Sequence, residues 1–288
     1  MMKQSLTIRP GQAITYEERG NPGDMPVFFF HGTPGSHFQL DLLPGALLEN
    51  VHWIAIDRPG YGESSRCLGL GMADVTATVA ACADYLNIDR FQVLGFSGGG
   101  PYALACAHTM PDRAYVAHLV SSLGPVDVPE IWSALRRQDR LLFTLARRSP
   151  RLFRLVLRLS MRGIRQNPER FSAQLAAKMS ARDQALLTAP DTLAVLNNDL
   201  REALHQGTTG MADDLMVLSW PWPFPLEDIQ VPVHLWQGAH DKVINPSIGA
   251  AIAACIPHAQ YHRPEDGAHM VLLTHAAEIR HEIDHVLP

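Results

Sequence analysis

The sequence predicts an α/β protein: a mostly parallel central β-sheet flanked by helices and interrupted by an inserted block of helices. Three observations carry that prediction. Over the first 125 residues, short apolar runs bounded by turn residues alternate with helical stretches, the pattern of βα units in a parallel sheet. From about Val126 to Val217 the alternation stops, and leucine, alanine and arginine dominate with Pro150, Pro168 and Pro190 as punctuation. At Val231 the alternation resumes.

Each element follows from local pattern. Ser5–Ile8 and Ala13–Glu18 read as a short antiparallel pair, and Pro26–Phe30 and Val51–Ile56 as buried strands. Ala73–Leu86 carries a helical pattern with few breakers, and Phe91–Gly95 is the next strand. Pro101–His108 reads as a helix with proline in its first turn, where a missing N–H costs nothing. Val116–Ser121 is a further strand, and residues 126–223 form an all-helical cap. The run Trp220-Pro221-Trp222-Pro223-Phe224-Pro225 alternates proline with bulky residues, so it makes an extended return. Val231–Gln237 is then a strand, Pro246–Cys255 a helix, Gln260–Arg263 a strand and Met270–Val286 a single closing helix. The catalytic core is therefore discontinuous, residues 1–125 plus 224–288.

Composition narrows the function. Of 288 residues, 47% are hydrophobic and 18% charged, which fits a folded globular chain and excludes wholesale disorder. The net charge of −5 gives no basic field for nucleic acid. Cys67, Cys82, Cys106 and Cys255 have no C-x-x-C spacing, so neither a metal ribbon nor a disulfide framework is expected. No window holds about 18 uninterrupted apolar residues, so no stable membrane insertion is expected. Met1–Pro10 lacks the apolar stretch of a signal peptide, which points to the cytoplasm. The expected partner is a small-molecule substrate. A homodimer is compatible with the sequence but not specified by it.

The chemistry concentrates at Gly95-Phe96-Ser97-Gly98-Gly99, a G-x-S-x-G segment between a strand and a helix. A tight strand-to-helix turn needs small neighbours and raises Ser97 above the sheet at a helix N-terminus. There the N–H of Gly98 can face an oxyanion. A serine hydroxyl is a weak nucleophile and needs a base, which in turn needs an orienting carboxylate. Asp241 follows the strand Val231–Gln237, and His269 follows the last strand. The order Ser97, Asp241, His269 is the order such a triad takes on an open α/β sheet. His240 competes as the base and Asp127 as the acid. The loop His31-Gly32-Thr33-Pro34-Gly35 after the strand Pro26–Phe30 offers the N–H of Thr33 as a second oxyanion donor. Phe96, Val243 and Met270, beside nucleophile, acid and base, are the expected pocket walls.

Together with Asp57-Arg58-Pro59-Gly60-Tyr61-Gly62-Glu63-Ser64 and Gly238 through Asp241, these segments make the chain similar to the α/β-hydrolase superfamily, in its capped, esterase-like branch. The resemblance spans about residue 12 to the end. It implies hydrolysis of a small or medium carboxylic ester through an acyl-enzyme, without metal or organic cofactor. The segment Asp57–Ser64 is, by the same resemblance, a structural loop beside the site. Two other enzyme readings share the triad. One is a carbon–carbon bond hydrolase. The other is a proline-iminopeptidase type, which would need cap carboxylates from among Glu169, Asp191, Asp199, Glu202, Asp213 and Asp214, residues ordinarily found at the surface. A ligand receptor that keeps the triad with negligible turnover belongs to a different class.

In the cap, Arg147, Arg151, Arg154, Arg158, Arg162 and Arg165 recur at steps of three and four residues, with Leu152, Phe153, Leu155, Val156, Leu157 and Leu159 between them. The simplest expectation is a solvated basic face with the apolar side on the core. The sharper alternative is a basic amphipathic helix that meets anionic lipid or an acidic substrate. Trp220, Trp222 and Phe224 either line the pocket or anchor the return segment in the core.

Overall fold

A computed structural model describes residues 3–67, 69, 71–164 and 167–285. Strands β1 (Lys3–Arg9), β2 (Gln12–Arg19), β3 (Met25–Phe30), β4 (Val51–Ile56), β5 (Phe91–Phe96), β6 (Ala114–Val120), β7 (Val233–Trp236) and β8 (Ala259–His262) form one eight-stranded sheet. Its order is β1-β2-β4-β3-β5-β6-β7-β8. Only β2 pairs antiparallel with its neighbours; from β4 to β8 every pairing is parallel.

The alternation of side chains along β3 shows how the sheet buries both faces. Phe28 and Phe30 enter one apolar cluster, and Val27 and Phe29 enter the other. Helices α2 (Met72–Tyr85), α3 (Gly100–Thr109) and α11 (Pro246–Cys255) cover the first face. The short α1 (Gly45–Leu48), α12 (Val271–Thr274) and α13 (Ala276–His285) cover the second. The expected single closing helix is thus two. His275 leaves the helical conformation at φ −122°, and its ring is held by the Thr274 hydroxyl and the Asp266 carboxylate. Val286 lies outside the described residues.

Between β6 and β7 the described chain is helical: α4 (Pro129–Ala134), α5 (Arg137–Arg148), α6 (Pro150–Ser160), α7 (Pro168–Ala176), α8 (Ala181–Leu187), α9 (Pro190–Ala203) and α10 (Thr209–Ser219). Proline opens four of them at the first turn. A small apolar cluster of Ala146, Phe153, Leu157, Leu204 and Ala212 holds α5, α6, α9 and α10 together. Trp222 and Phe224 are buried in the main core, whereas Trp220 is exposed. No helix among the described residues is long and apolar enough to cross a membrane.

The arginine repeat departs from the simplest expectation. Pro150 divides it between α5 and α6. Arg154 pairs with Asp213 at 2.8 Å, Arg147 lies over the ring of Trp132, and Arg165 lies outside the described residues. Helix α6 carries more apolar side chains than one face can bury. Phe153 and Leu157 point inward, but Leu152, Leu155, Val156 and Leu159 are exposed.

Charge fastens this helical segment to the sheet. Asp214 of α10 is buried and accepts from Arg58 Nε at 3.3 Å and Nη2 at 2.8 Å. It also accepts from the hydroxyls of Thr33 at 2.6 Å and Tyr61 at 2.9 Å, and from that of Tyr102. The remaining Arg58 donors reach the carbonyls of His31 at 2.5 Å and Gly32 at 3.0 Å. Burial works against the guanidinium charge, yet Asp214 more than compensates and holds its pKa above the usual value. Substituting Asp214→Ala leaves that charge buried and unpaired, which costs about 3–5 kcal/mol. Urea unfolding of the variant should show this loss; a change below about 1 kcal/mol, the worth of an exposed pair, would remove the fastening role.

Candidate active site

The end of β5 turns sharply into α3. Ser97 sits there at φ +53°, a conformation that costs a residue with a Cβ on the order of 1 kcal/mol or more. Close packing imposes it. A Cβ at Gly95 would strike the backbone of Gly100, and one at Gly99 would strike the carbonyl oxygens of Phe30 and His31. The first N–H groups of such a turn have no carbonyl partner of their own. Gly98 is therefore positioned as a donor beside Ser97, and the Thr33 backbone nitrogen lies 3.4 Å from where a Gly98 Cβ would sit.

Behind the cavity, Asp241 and His269 are both buried. His269 Nδ1 donates to Asp241 Oδ2 at 2.8 Å. The same carboxylate accepts from Gln237 Nε2 at 2.8 Å and from the backbone N–H of Val243 at 2.7 Å and Ile244 at 2.9 Å. Four donors fix it as an acceptor, so the imidazole carries its proton on Nδ1 and presents Nε2 as a base. The ring of Phe96 lies 5.3 Å from that of His269.

Ser97, Gly98, Thr33 and His269 share one cavity of about 440 Å³. Phe96, Val243 and Met270 form part of its wall. All eight sequence-derived candidates thus fall at one place, Asp241 directly behind His269. The competitors do not. His240 is exposed, and Asp127 is exposed on a separate groove with Trp132 and Trp220. The rest of the wall is largely apolar, with Leu135, Leu142, Phe143, Met161, Phe171 and Leu215 from the helical segment.

Three residues unmarked by any motif organise this site. Asp183 of α8 accepts from the backbone N–H of His269 at 3.1 Å and of Met270 at 2.9 Å. Asp199 of α9 accepts from Ser36 N at 2.6 Å, Ser36 Oγ at 2.7 Å and Gln39 Nε2 at 3.0 Å. Gln39 Oε1 in turn accepts from Gly32 N at 2.8 Å. Of the acidic residues expected at the surface, Glu169 and Asp191 are exposed and Glu202 is half-buried, but Asp199, Asp213 and Asp214 are buried. Partners account for their burial: Asp199 meets donors of Ser36 and Gln39, Asp213 the guanidinium groups of Arg66 and Arg154, and Asp214 that of Arg58 with three hydroxyls. The signal available in sequence was an aspartate on an inward apolar face, as with Asp199 beside Leu196 and Leu200.

Among the described residues, two groups of side chains have donor sets suited to a metal, His37–Asp57–Glu202 and His234–His262–Glu282. In the first, His37 and Asp57 already satisfy each other at 2.8 Å. Neither group lines the Ser97 cavity.

Burial lifts the Asp199 carboxyl from its ordinary 3.8 to about 7, against the pull of its donors from Gln39 and Ser36. The folded state thus holds a proton that the unfolded chain has released above pH 3.8. The resulting stability is full below that value and is lost as pH rises towards about 7. Unfolding free energies measured at intervals across this window should therefore fall with pH. The Asp199→Asn variant should show a flatter profile; parallel profiles would refute the assignment.

Comparisons with known proteins follow this geometry. The family model described as alpha/beta hydrolase fold matches residues 25–276. The dihydrolipoyllysine-residue acetyltransferase component of the acetoin cleaving system of Pseudomonas putida is 33% identical over 115 residues, 40% of this chain and 31% of that protein. This chain therefore spans about a third of that relative. The poly(3-hydroxyalkanoate) depolymerase of Ectopseudomonas oleovorans is 29% identical over 276 residues, 90% of this chain and 83% of that protein. A hydrolase from Pseudomonas aeruginosa superposes with a TM-score of 0.75 at 18% identity, covering 98% of this chain and 96% of its own. With the family model spanning all but the ends and the sheet order in agreement, the chain belongs to the alpha/beta hydrolase fold family.

Proposed function

We propose that the protein is a serine hydrolase that cleaves a small or medium carboxylic ester with an apolar acyl or alcohol group. The observation that carries this reading is the apolar cavity of about 440 Å³ into which Ser97 and His269 both open. In this reading residues 1–125 and 224–288 form the catalytic core and 126–223 its cap.

Ser97 Oγ attacks the ester carbonyl as His269 Nε2 takes its proton. Asp241 holds the imidazole by Nδ1 and stabilises the imidazolium that forms. The N–H groups of Thr33 and Gly98 receive the oxyanion of the tetrahedral intermediate. His269 then protonates the departing alcohol. A water, deprotonated by His269, attacks the acyl-enzyme and releases the acid with Ser97 restored. The Thr33 hydroxyl is bound to Asp214, so the donor from that residue is its backbone N–H alone. The depolymerase relative, whose named substrate is ester-linked, supports an ester reading.

A second reading draws on Asp199, an acidic residue in the cavity wall. It would pair with the free amine of an aminoacyl substrate. Against it stand the bonds that Asp199 already accepts from Ser36 and Gln39.

A series of p-nitrophenyl esters against prolyl p-nitroanilide separates the two. Ester turnover should rise from acetate to the longer acyl chains, and the anilide should remain uncut. Ser97→Ala should reduce turnover to background; activity equal to wild type would end the proposal. Asp241→Asn should lower kcat about 10⁴-fold by presenting the wrong imidazole tautomer, whereas Asp127→Asn should leave it unchanged.

A further inference from the structure

Helix α6 has two opposed apolar faces. Phe153 and Leu157 are buried, and Met161, its C-terminal cap, lines the Ser97 cavity. Leu152, Leu155, Val156 and Leu159 stand on the other side at i, i+3, i+4 and i+7. They are 48%, 51%, 40% and 56% exposed. This is half of the exposed large apolar residues of the described chain on one eleven-residue helix. A contiguous outward apolar stripe at helical spacing marks an interaction surface, whereas scattered exposed leucines do not.

The charges beside the stripe identify the partner. Arg151 and Arg158 of the helix and Arg162 just beyond it are exposed along one flank. Among the described residues the side chains of these three make no hydrogen bond or ion pair, unlike that of Arg154, which Asp213 neutralises. The helix Pro150–Ser160 contains no acidic residue. A second copy of the chain meeting it helix to helix would therefore supply more arginine and no counter-charge. A surface that offers both an apolar interior and fixed negative charge satisfies both halves of the pattern.

We propose that the outer face of α6 docks reversibly on an anionic lipid surface. The leucines enter the acyl boundary, and Arg151, Arg158 and Arg162 extend to headgroup phosphates while their stems stay with the apolar layer. The helix has eleven residues, so it lies in the interface and does not span it. This docking brings a wall of the cavity against the lipid, yet it does not depend on the catalytic reading and is measurable in Ser97→Ala.

The test is co-sedimentation of the full chain with vesicles of phosphatidylcholine alone and of phosphatidylcholine with an equal part of phosphatidylglycerol. Binding is expected to the second and to weaken with added salt. Replacing Arg151, Arg158 and Arg162 together by glutamine should reduce partitioning roughly 100-fold. Leu155→Ser with Leu159→Ser should abolish it. Both variants should keep the circular dichroism spectrum and the hydrolysis rate on a soluble short-chain ester, since none of these residues lines the cavity. Failure of the wild type to bind anionic vesicles, or equal binding by wild type and variants, overturns the proposal. Light scattering on the same samples reads the competing occupant: a dimer that the leucine variant dissociates, without vesicle binding, assigns the face to a second copy.

Discussion

A guanidinium and a carboxylate buried together hold the two halves of this molecule in one arrangement. Arg58 lies on the loop after β4, and Asp214 comes from α10, more than 150 residues later. Neither charge is tolerable alone in that interior, because desolvating either without its partner costs several kcal/mol. Together they also draw in Thr33, Tyr61, Tyr102 and the carbonyls of His31 and Gly32. The planar fork of arginine suits this task, since it places several donors in fixed directions where a lysine would offer one point charge. The loop that carries the Thr33 N–H is therefore set by a pair of charges rather than by its own flexible sequence.

The same device recurs along the helical segment. Helices α8, α9 and α10 each send buried aspartate to the core loops: Asp183 to the His269 loop, Asp199 to Ser36 and Gln39, Asp214 to Arg58 and Thr33. Apolar packing alone is non-directional and leaves helices several equivalent seats. Carboxylates that accept from fixed buried donors, backbone N–H groups for Asp183 and Asp199 and side chains for Asp214, admit one seat, because any shift orphans a donor. Directional bonds thus set the shape of a cavity whose lining is mostly leucine, methionine and phenylalanine.

The sequence made the chemistry more legible than the architecture around it. That Ser97, Asp241 and His269 lie near one another was readable because they follow short apolar runs, which locate the carboxyl ends of strands. The strands were readable for the same reason, and β4 matches its expected limits. Asp183, Asp199 and Asp214 were not readable in that way. Apolar neighbours hint that a helical aspartate faces inward, but nothing local tells which donors elsewhere in the chain it meets. Which side of α6 faces inward was equally hidden. Its apolar residues cover most of the circumference, so periodicity leaves the orientation to tertiary packing. The break at His275 depends on Asp266, nine residues earlier, a partnership beyond the reach of local propensity.

The grip of Asp183 on the backbone of His269 and Met270 bears on how such a molecule can diversify. His269 owes its placement to a helix outside the sheet, so the helical segment is not a detachable module that can be exchanged for a foreign one. A wholesale replacement would strip the anchor from His269 and the counter-ion from Arg58 at once. New substrate ranges are open instead through the inward-facing apolar positions, such as Leu142, Phe171 and Leu215, which can change size one at a time while the three aspartates stay. Variation in this lineage should accordingly be fine-grained on the cavity wall and conservative at its moorings.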